Sequence, residues 1–289
     1  MSTLHSGLLC PNFTENGWGL TRAPQGLVDD LRRSLHRGLA GDLPEETLTQ
    51  CIEGENRPKM IKQYELNARA LRELKHIHEA WAGRKLVGNN AYGLRVYRNE
   101  SGLNMHIDKT ETHIISSILH VDHDPMGDPW PIVIEDYQGN LNEVYLEPGD
   151  MLLYESSKCF HGRPKPFNGL WYSSLFIHYY PEDWPAGKIK MDAHYRVPPS
   201  WHKQMPKEDG LEDFVVIETS VKEPQCEHGW CGMKNTVKWS GPAEGYGKVL
   251  SAGGKVSTLL DLATKEPISE KQGFLGVDAK GEMHGPYDG

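Results

Sequence analysis

From Gly93 to Tyr180 the chain alternates short β-branched or aromatic runs with turn residues, whereas the stretch before it carries apolar residues at helical spacing. Leu27, Val28, Leu31, Leu35 and Leu39 fall on one face of a helix predicted from Pro24 to Leu39, with Gly41 as its stop. A second, longer helix is predicted from Pro58 to Trp81. Met60, Ile61, Tyr64, Leu71, Leu74, Ile77, His78 and Trp81 form its apolar stripe, and Gly83 ends it. Amphipathic helices of this kind need a sheet to cover. The candidate strands are Tyr92–Tyr97, Thr112–Val121, the hairpin Ile132–Tyr137 and Leu141–Leu146 across Gln138-Gly139-Asn140, Met151–Tyr154, and Trp171–Tyr179. Glu147-Pro148-Gly149-Asp150 turns the chain into the fourth of these pieces.

Beyond about Pro181 the periodicity fades. Trp184, Trp201, Trp230 and Trp239 are separated by Pro, Gly and charged residues, and Phe214–Ile217 is the one β-rich piece. An irregular extension wrapped over the core, anchored by its tryptophans, is expected there. The tail from Gly241 is rich in glycine and poor in large apolar residues, and no internal repeat is visible. The organisation read from these patterns is a helical support region (1–90), a β core (91–181) and an irregular C-terminal extension (182–289), together forming one domain.

Composition narrows the function classes. With 289 residues and 38% hydrophobic content, the chain can bury a sizeable core. Its net charge of −9 argues against nucleic acid or an anionic membrane surface as the main partner. No run approaches the length of a membrane span, and Met1–Gly7 lacks the basic and apolar segments of a secretory signal. Five cysteines, at 10, 51, 159, 226 and 231, do not form a disulfide framework, so a reducing, cytoplasmic compartment is expected. Cys226, His228 and Cys231 invite a zinc reading, but a structural zinc site wants four ligands.

The chemistry concentrates in the β core. His106-Ile107-Asp108 follows the turn Asn99–Gly102 and is answered by His161. Residues i and i+2 of an extended segment point to one side, so His106 and Asp108 can reach one ion while Ile107 faces away. Two imidazoles and one carboxylate can occupy one face of an octahedral Fe(II), leaving three positions open. His113, His120 and His178 lie on apolar strands and read as satisfied core or pocket-wall histidines.

Strand, H-x-D, strand, hairpin, P-G-D turn, strand, His, strand is the order expected of a double-stranded β-helix, a jelly-roll relative. With Arg95-Val96-Tyr97 before the H-x-D, E-P-G-D-x-L-L-Y at 147–154 and H-G-R-P-x-P at 161–166, the stretch Gly93–Tyr180 resembles the prolyl 4-hydroxylase-like branch of the Fe(II)/2-oxoglutarate-dependent dioxygenases. The resemblance implies an α+β fold in which the helices pack on the outer face of the larger sheet. It implies His106, Asp108 and His161 as iron ligands. It also implies 2-oxoglutarate as co-substrate with O2, and oxidation of an unactivated C–H bond with release of succinate and CO2. The intact Asp108 favours hydroxylation, desaturation or ring closure over halogenation.

At the positions where this family carries the basic residue that meets the distal carboxylate of 2-oxoglutarate, this chain has Leu170 and Trp171. Burying an unpaired carboxylate costs several kcal/mol, so another cation must serve. Arg95 is the first candidate, because it shares a strand face with Tyr97, which matches the family tyrosine that bonds the co-substrate. Arg163 and Lys165 are the others, and Ser174 can add a hydroxyl. Lys109, next to Asp108, is the candidate contact for a substrate. That substrate is an amino acid, a peptidyl residue or a small metabolite, and a carboxylate on it would suit the surrounding basic residues. Two rival readings stand beside this one: a cupin-like metalloenzyme that does without 2-oxoglutarate, and a non-catalytic β-sandwich binding module.

Overall fold

The computed structural model describes residues 10–47, 51–184, 215–217, 219–240, 242–253, 256–264, 266–272, 276–277 and 283–284. Eight strands make the core: β4 (Leu86–Tyr97), β5 (Gly102–His106), β6 (Ile115–His123), β7 (Ile132–Glu135), β8 (Leu141–Val144), β9 (Asp150–Tyr154), β10 (His161–Arg163) and β11 (Tyr172–Pro181). They pair as β9-β6-β11-β4 in the larger sheet and β5-β10-β7-β8 in the smaller. Apart from the hairpin β7–β8, which stays in the smaller sheet, successive strands alternate between two facing antiparallel sheets, which is the double-stranded β-helix expected from the strand order.

Alternation along each strand divides the side chains between two cores. Leu152, Tyr154, Tyr172, Phe176, Ile118, Ile132 and Ile134 fill the space between the sheets. Met151, Leu153, Leu175, Ile177, Leu119 and Val121 point out of the larger sheet. That outer face is covered by helices α1 (Gln25–Leu39), α2 (Tyr64–Glu73) and α3 (Lys75–Ala82), through Leu27, Leu31, Leu35, Leu74, Ile77 and Trp81. Gly83 ends α3 in the left-handed conformation, where the absence of a Cβ carries no steric penalty.

Three expectations need correction. The single helix over 58–81 is instead a short strand, β3 (Lys59–Met60), followed by two helices that meet at Leu74. Met60 pairs with Arg95 on the edge of β4, so a sheet edge captures residues with helical spacing. The N-terminal region also holds β1 (Trp18–Arg22), which pairs with β9 and sends Trp18 and Leu20 into the inner core. Finally, the described parts of the C-terminal extension are not irregular. β12 (Val215–Ile217) and β13 (Ser220–Lys222) join the edge of β5, β14 (Thr236–Trp239) lies parallel to β8, and β15 (Lys248–Gly253), β16 (Val256–Asp261) and β17 (Pro267–Gln272) continue the larger sheet from β1. These strands are short and broken by Pro and Gly, so their pattern was weak; pairing with open sheet edges supplies the order.

Between β13 and β14 the chain crosses the outer face of the smaller sheet. Trp230 and Met233 pack there on Met105, Val133 and Leu141. Cys226 and Cys231 are joined to each other in this crossing, a single disulfide where free thiols were expected, while Cys10, Cys51 and Cys159 are free. With both sulfurs bonded, the zinc reading has no thiolates. No helix among the described residues is long and apolar enough to cross a membrane.

The extension is tied in by Trp239, which is 2% exposed, packs edge-on against Trp18 at 5.6 Å and donates Nε1–H to Asn142 Oδ1 at 2.9 Å. Trp239→Ala should therefore cost about 3–5 kcal/mol in denaturant unfolding; a loss below about 1 kcal/mol would mean that the extension is not integral to the core. His78, fully buried against Tyr179, has its pKa pushed down to about 4 by burial. The unfolded chain then takes up a proton below about pH 6.5 that the folded chain refuses until pH 4, so the stability present above pH 6.5 falls by up to about 3 kcal/mol toward pH 4. His78→Phe should flatten that part of a Tm-against-pH profile, and an unchanged slope would contradict it.

Candidate metal centre

His106 ends β5 and His161 opens β10, and the two are paired directly across the antiparallel ladder. Directly opposed residues share a face, so both rings enter the space between the sheets, with centroids 4.3 Å apart. Gly162 makes this approach possible, since a Cβ there would lie 2.7 Å from the Asn104 carbonyl oxygen. Asp108, two residues beyond His106, has its backbone N–H held by the Ser156 carbonyl at 2.8 Å. Ile107 is buried on the other side.

The three side chains converge. Asp108 Oδ1 lies 3.7 Å from His106 Nε2 and 3.8 Å from His161 Nε2. The ligating atoms of the triad all lie within 4.8 Å of one another. Each imidazole is oriented by its other nitrogen: Nδ1 of His106 donates to the Asn104 carbonyl at 2.8 Å, and Nδ1 of His161 to the Cys159 carbonyl at 2.9 Å. That leaves both Nε2 lone pairs aimed at the carboxylate, the tautomer a metal requires. Burial lowers the pKa of both rings to about 4, with each ring's charge opposing its neighbour's at His106. Both are thus neutral and ready to ligate at physiological pH. The donor set fits a divalent first-row metal in all three respects: residue types, convergence and protonation.

The sequence-predicted co-substrate residues separate into two groups. Arg95, Tyr97 and Ser174 project into the interior. One extra residue in β4 brings this about, because Arg95 faces Ser174 while Tyr92, three positions earlier, faces Phe176, two positions on. The bulge falls at Gly93, whose φ of +127° suits glycine, and it turns Tyr92, Arg95 and Tyr97 to one side. Arg95, however, is already paired. Its Nε and Nη2 form a fork on buried Glu46 at 2.7 and 2.8 Å, Tyr92 also donates to Glu46, and Nη1 donates to the Tyr97 hydroxyl at 3.0 Å. The Ser174 hydroxyl is buried without a partner.

Arg163 is the opposite case. It is 2% exposed, and its guanidinium lies between the rings of Trp130 and Tyr172, 4.4 Å from each centroid. It donates to the Trp130 carbonyl at 2.6 Å and the Tyr172 hydroxyl at 3.2 Å. Among the described residues no carboxylate lies within ion-pair distance of it. Lys165 points elsewhere: its ammonium is 3.1 Å from Glu143, which sits opposite the outward-facing Val133, so it is withdrawn as a co-substrate candidate. Lys109 is exposed beside Asp108 and forms no ion pair among the described residues.

Sequence reasoning missed Glu46, Trp130, Tyr172 and Tyr154, whose ring lies 4.6 Å from that of His161. None carries a local signal, since each reaches the site from a different element.

No protein-family model and no curated protein sequence matches the chain. Similar solved structures include a Pseudomonas putida prolyl-4-hydroxylase, with TM-score 0.46, 14% identity, and coverage of 63% of this chain and 99% of that one. HygX from Streptomyces hygroscopicus with nickel and 2-oxoglutarate bound gives TM-score 0.44 and 14% identity, covering 58% of this chain and 84% of that one. A 2OG-Fe(II) oxygenase family oxidoreductase from Burkholderia pseudomallei gives 0.43 and 14%, covering 60% and 87%. At these values the function of this chain is read from its own residues.

The triad predicts metal binding that titration can read. The protein should bind Mn(II) as a single site, and His161→Ala and Asp108→Ala should each weaken binding at least a hundredfold while His113→Ala leaves it within a fewfold. Retained affinity in the first two would rule out the site.

Proposed function

We propose that the chain is an Fe(II)- and 2-oxoglutarate-dependent oxygenase in which Arg163 takes the place of the basic residue missing at Leu170. His106, Asp108 and His161 would hold Fe(II), which would supply activation of O2, coupled to conversion of 2-oxoglutarate to succinate and CO2 and to oxidation of an unactivated C–H bond. The observation that carries this reading is the buried Arg163 cation, which has no carboxylate partner among the described residues. A charge so placed costs several kcal/mol unless an anion meets it. Arg163 follows His161 by two residues on an extended strand, which puts its side chain on the ligand face with its Cα roughly 7 Å along the chain. A diacid bound at the triad through its 2-oxo-carboxylate end would carry its second carboxylate away from it, and Arg163 is a buried cation, without an ion-pair partner among the described residues, suited to meet that group.

The neighbours of Arg163 support the same division of labour. Arg95 is neutralised by Glu46, so it contributes orientation more than charge: its hydrogen bond to the Tyr97 oxygen leaves the Tyr97 hydroxyl proton free to donate. Ser174 Oγ offers a further buried donor between Arg95 and His120. Trp130 and Tyr172 hold the guanidinium plane and exclude water from it. The cupin-like rival rests on the missing cation at Leu170, and the buried Arg163 is a cation that can stand in its place. At the open side, exposed Lys109 suits a substrate carrying a carboxylate, among amino acids, peptidyl residues and small metabolites.

Arg163→Ala should raise the KM for 2-oxoglutarate at least tenfold in an assay of succinate formation, with Arg163→Lys intermediate and Lys165→Ala near wild type. Product formed without succinate would instead favour the rival that does without 2-oxoglutarate, and an unchanged KM in Arg163→Ala would remove Arg163 from the site.

A further inference from the structure

The crossing between β13 and β14 holds a second cluster of ligand-type side chains, apart from the triad. Glu223, Cys226 and Cys231 each offer one donor atom, and these atoms all lie within 4.8 Å of one another. Backbone hydrogen bonds fold the segment tightly: the Cys226 N–H donates to the Glu223 carbonyl at 2.9 Å, the Gly229 N–H to the Cys226 carbonyl at 3.0 Å, and the Glu223 N–H to the Gly229 carbonyl at 2.9 Å. The Glu223 carboxylate turns back across this loop and accepts from the Cys231 N–H at 2.5 Å. Glu223 and Cys226 are only half-buried, so small reductants and ions can reach the cluster.

As a disulfide the two sulfurs cannot ligate. A phosphine or dithiol reductant supplies two electrons, the S–S bond breaks, and each sulfur takes up one proton; with a phosphine, water supplies the oxygen of the phosphine oxide. Each thiol then sheds its proton on meeting a cation. Two thiolates and a carboxylate select a thiophilic divalent ion such as Zn(II) over Mg(II), Ca(II) or Mn(II). In a tetrahedral site with Zn–S bonds of about 2.3 Å, the sulfurs stand about 3.8 Å apart. With the Cα atoms 4.8 Å apart, rotation of the two side chains reaches that separation.

We propose that Glu223, Cys226 and Cys231 form a second cation site, for Zn(II) or an ion of similar softness, which exists when the disulfide is reduced and is abolished when it forms. Cys226, His228 and Cys231 alone lacked a fourth ligand; Glu223 supplies it if His228, in the turn between the cysteines, also binds, and water completes the set if it does not. Disulfide and ion are alternative closures of the same loop. Each braces the crossing in which Trp230 packs against Phe160 at 5.3 Å and, with Met233, against Met105, Val133 and Leu141. Phe160 and Met105 directly precede His161 and His106. The inference stands independently of the oxygenase reading.

Co(II) titration of the metal-free full-length protein, oxidised and phosphine-reduced, tests it. The reduced protein should take up one equivalent more than the oxidised protein, and that ion should show thiolate-to-Co(II) charge-transfer absorption in the near ultraviolet, bleached by Zn(II). The band should persist in His161→Ala, disappear in Cys226→Ser and in Cys231→Ser, and require roughly tenfold more Co(II) in Glu223→Gln. Reduced wild type without the extra equivalent or without the band would overturn the proposal, and this comparison needs no variant to fold. A band retained in both serine variants, which would place the ion on Cys10, Cys51 or Cys159, would overturn it too, as would unchanged affinity in Glu223→Gln or equal uptake by the oxidised protein.

Discussion

The register of two short strands governs the rest of this molecule. His106 and His161 stand opposite each other across β5 and β10, so the only strand pairing that unites the two imidazoles is the one observed. A slip of one residue would send one of them to the outer face among Met105 and Val133. Strands of five and three residues specify their register weakly by themselves. Support comes from what surrounds them: Gly162 permits the close approach, β7 flanks β10, and the free edge of β5 is occupied twice. Ile52–Glu53 (β2) pairs with Leu103 and Gly102, while Ser220 of β13 pairs with His106 itself. The ion pair of Lys222 with Glu53 joins these two edge segments, one from each end of the chain. The extension is thus part of what holds the first histidine in place.

The two buried arginines show how the same side chain acquires different roles from its partners. Arg95 meets Glu46 in a forked pair, and the combination is neutral and internally satisfied. Arg163 is held by a carbonyl, a hydroxyl and two aromatic faces, all of them favourable to a guanidinium and none of them an anion. Such a setting orients the guanidinium and offsets part of its desolvation, and among the described residues it supplies no opposite charge. A neutral arginine is suited to orienting a tyrosine hydroxyl; a charged one is suited to holding a carboxylate.

Much of this was legible in the residues. The residue types of the triad, the order of the core strands and the extent of the first helix follow from local periodicity and turn chemistry, because each depends on neighbours within a few residues. What was not legible depends on distant partners. Met60 carries helical spacing but pairs with the edge of β4. Thr236–Trp239 has too little pattern to announce a strand, and becomes one because β8 offers an open edge. Lys165 lies as near to His161 in sequence as a candidate needs to, yet Glu143 draws it to the other face.

The sequence by itself determined the metal-binding residue types and the alternation that brings His106 and Asp108 to one side, since an i, i+2 spacing on extended chain needs no tertiary information. Only the tertiary structure decided between the arginines. Glu46, Trp130 and Tyr172 lie far apart in the chain, and whether a buried guanidinium is neutralised or left charged is a property of which of them it meets.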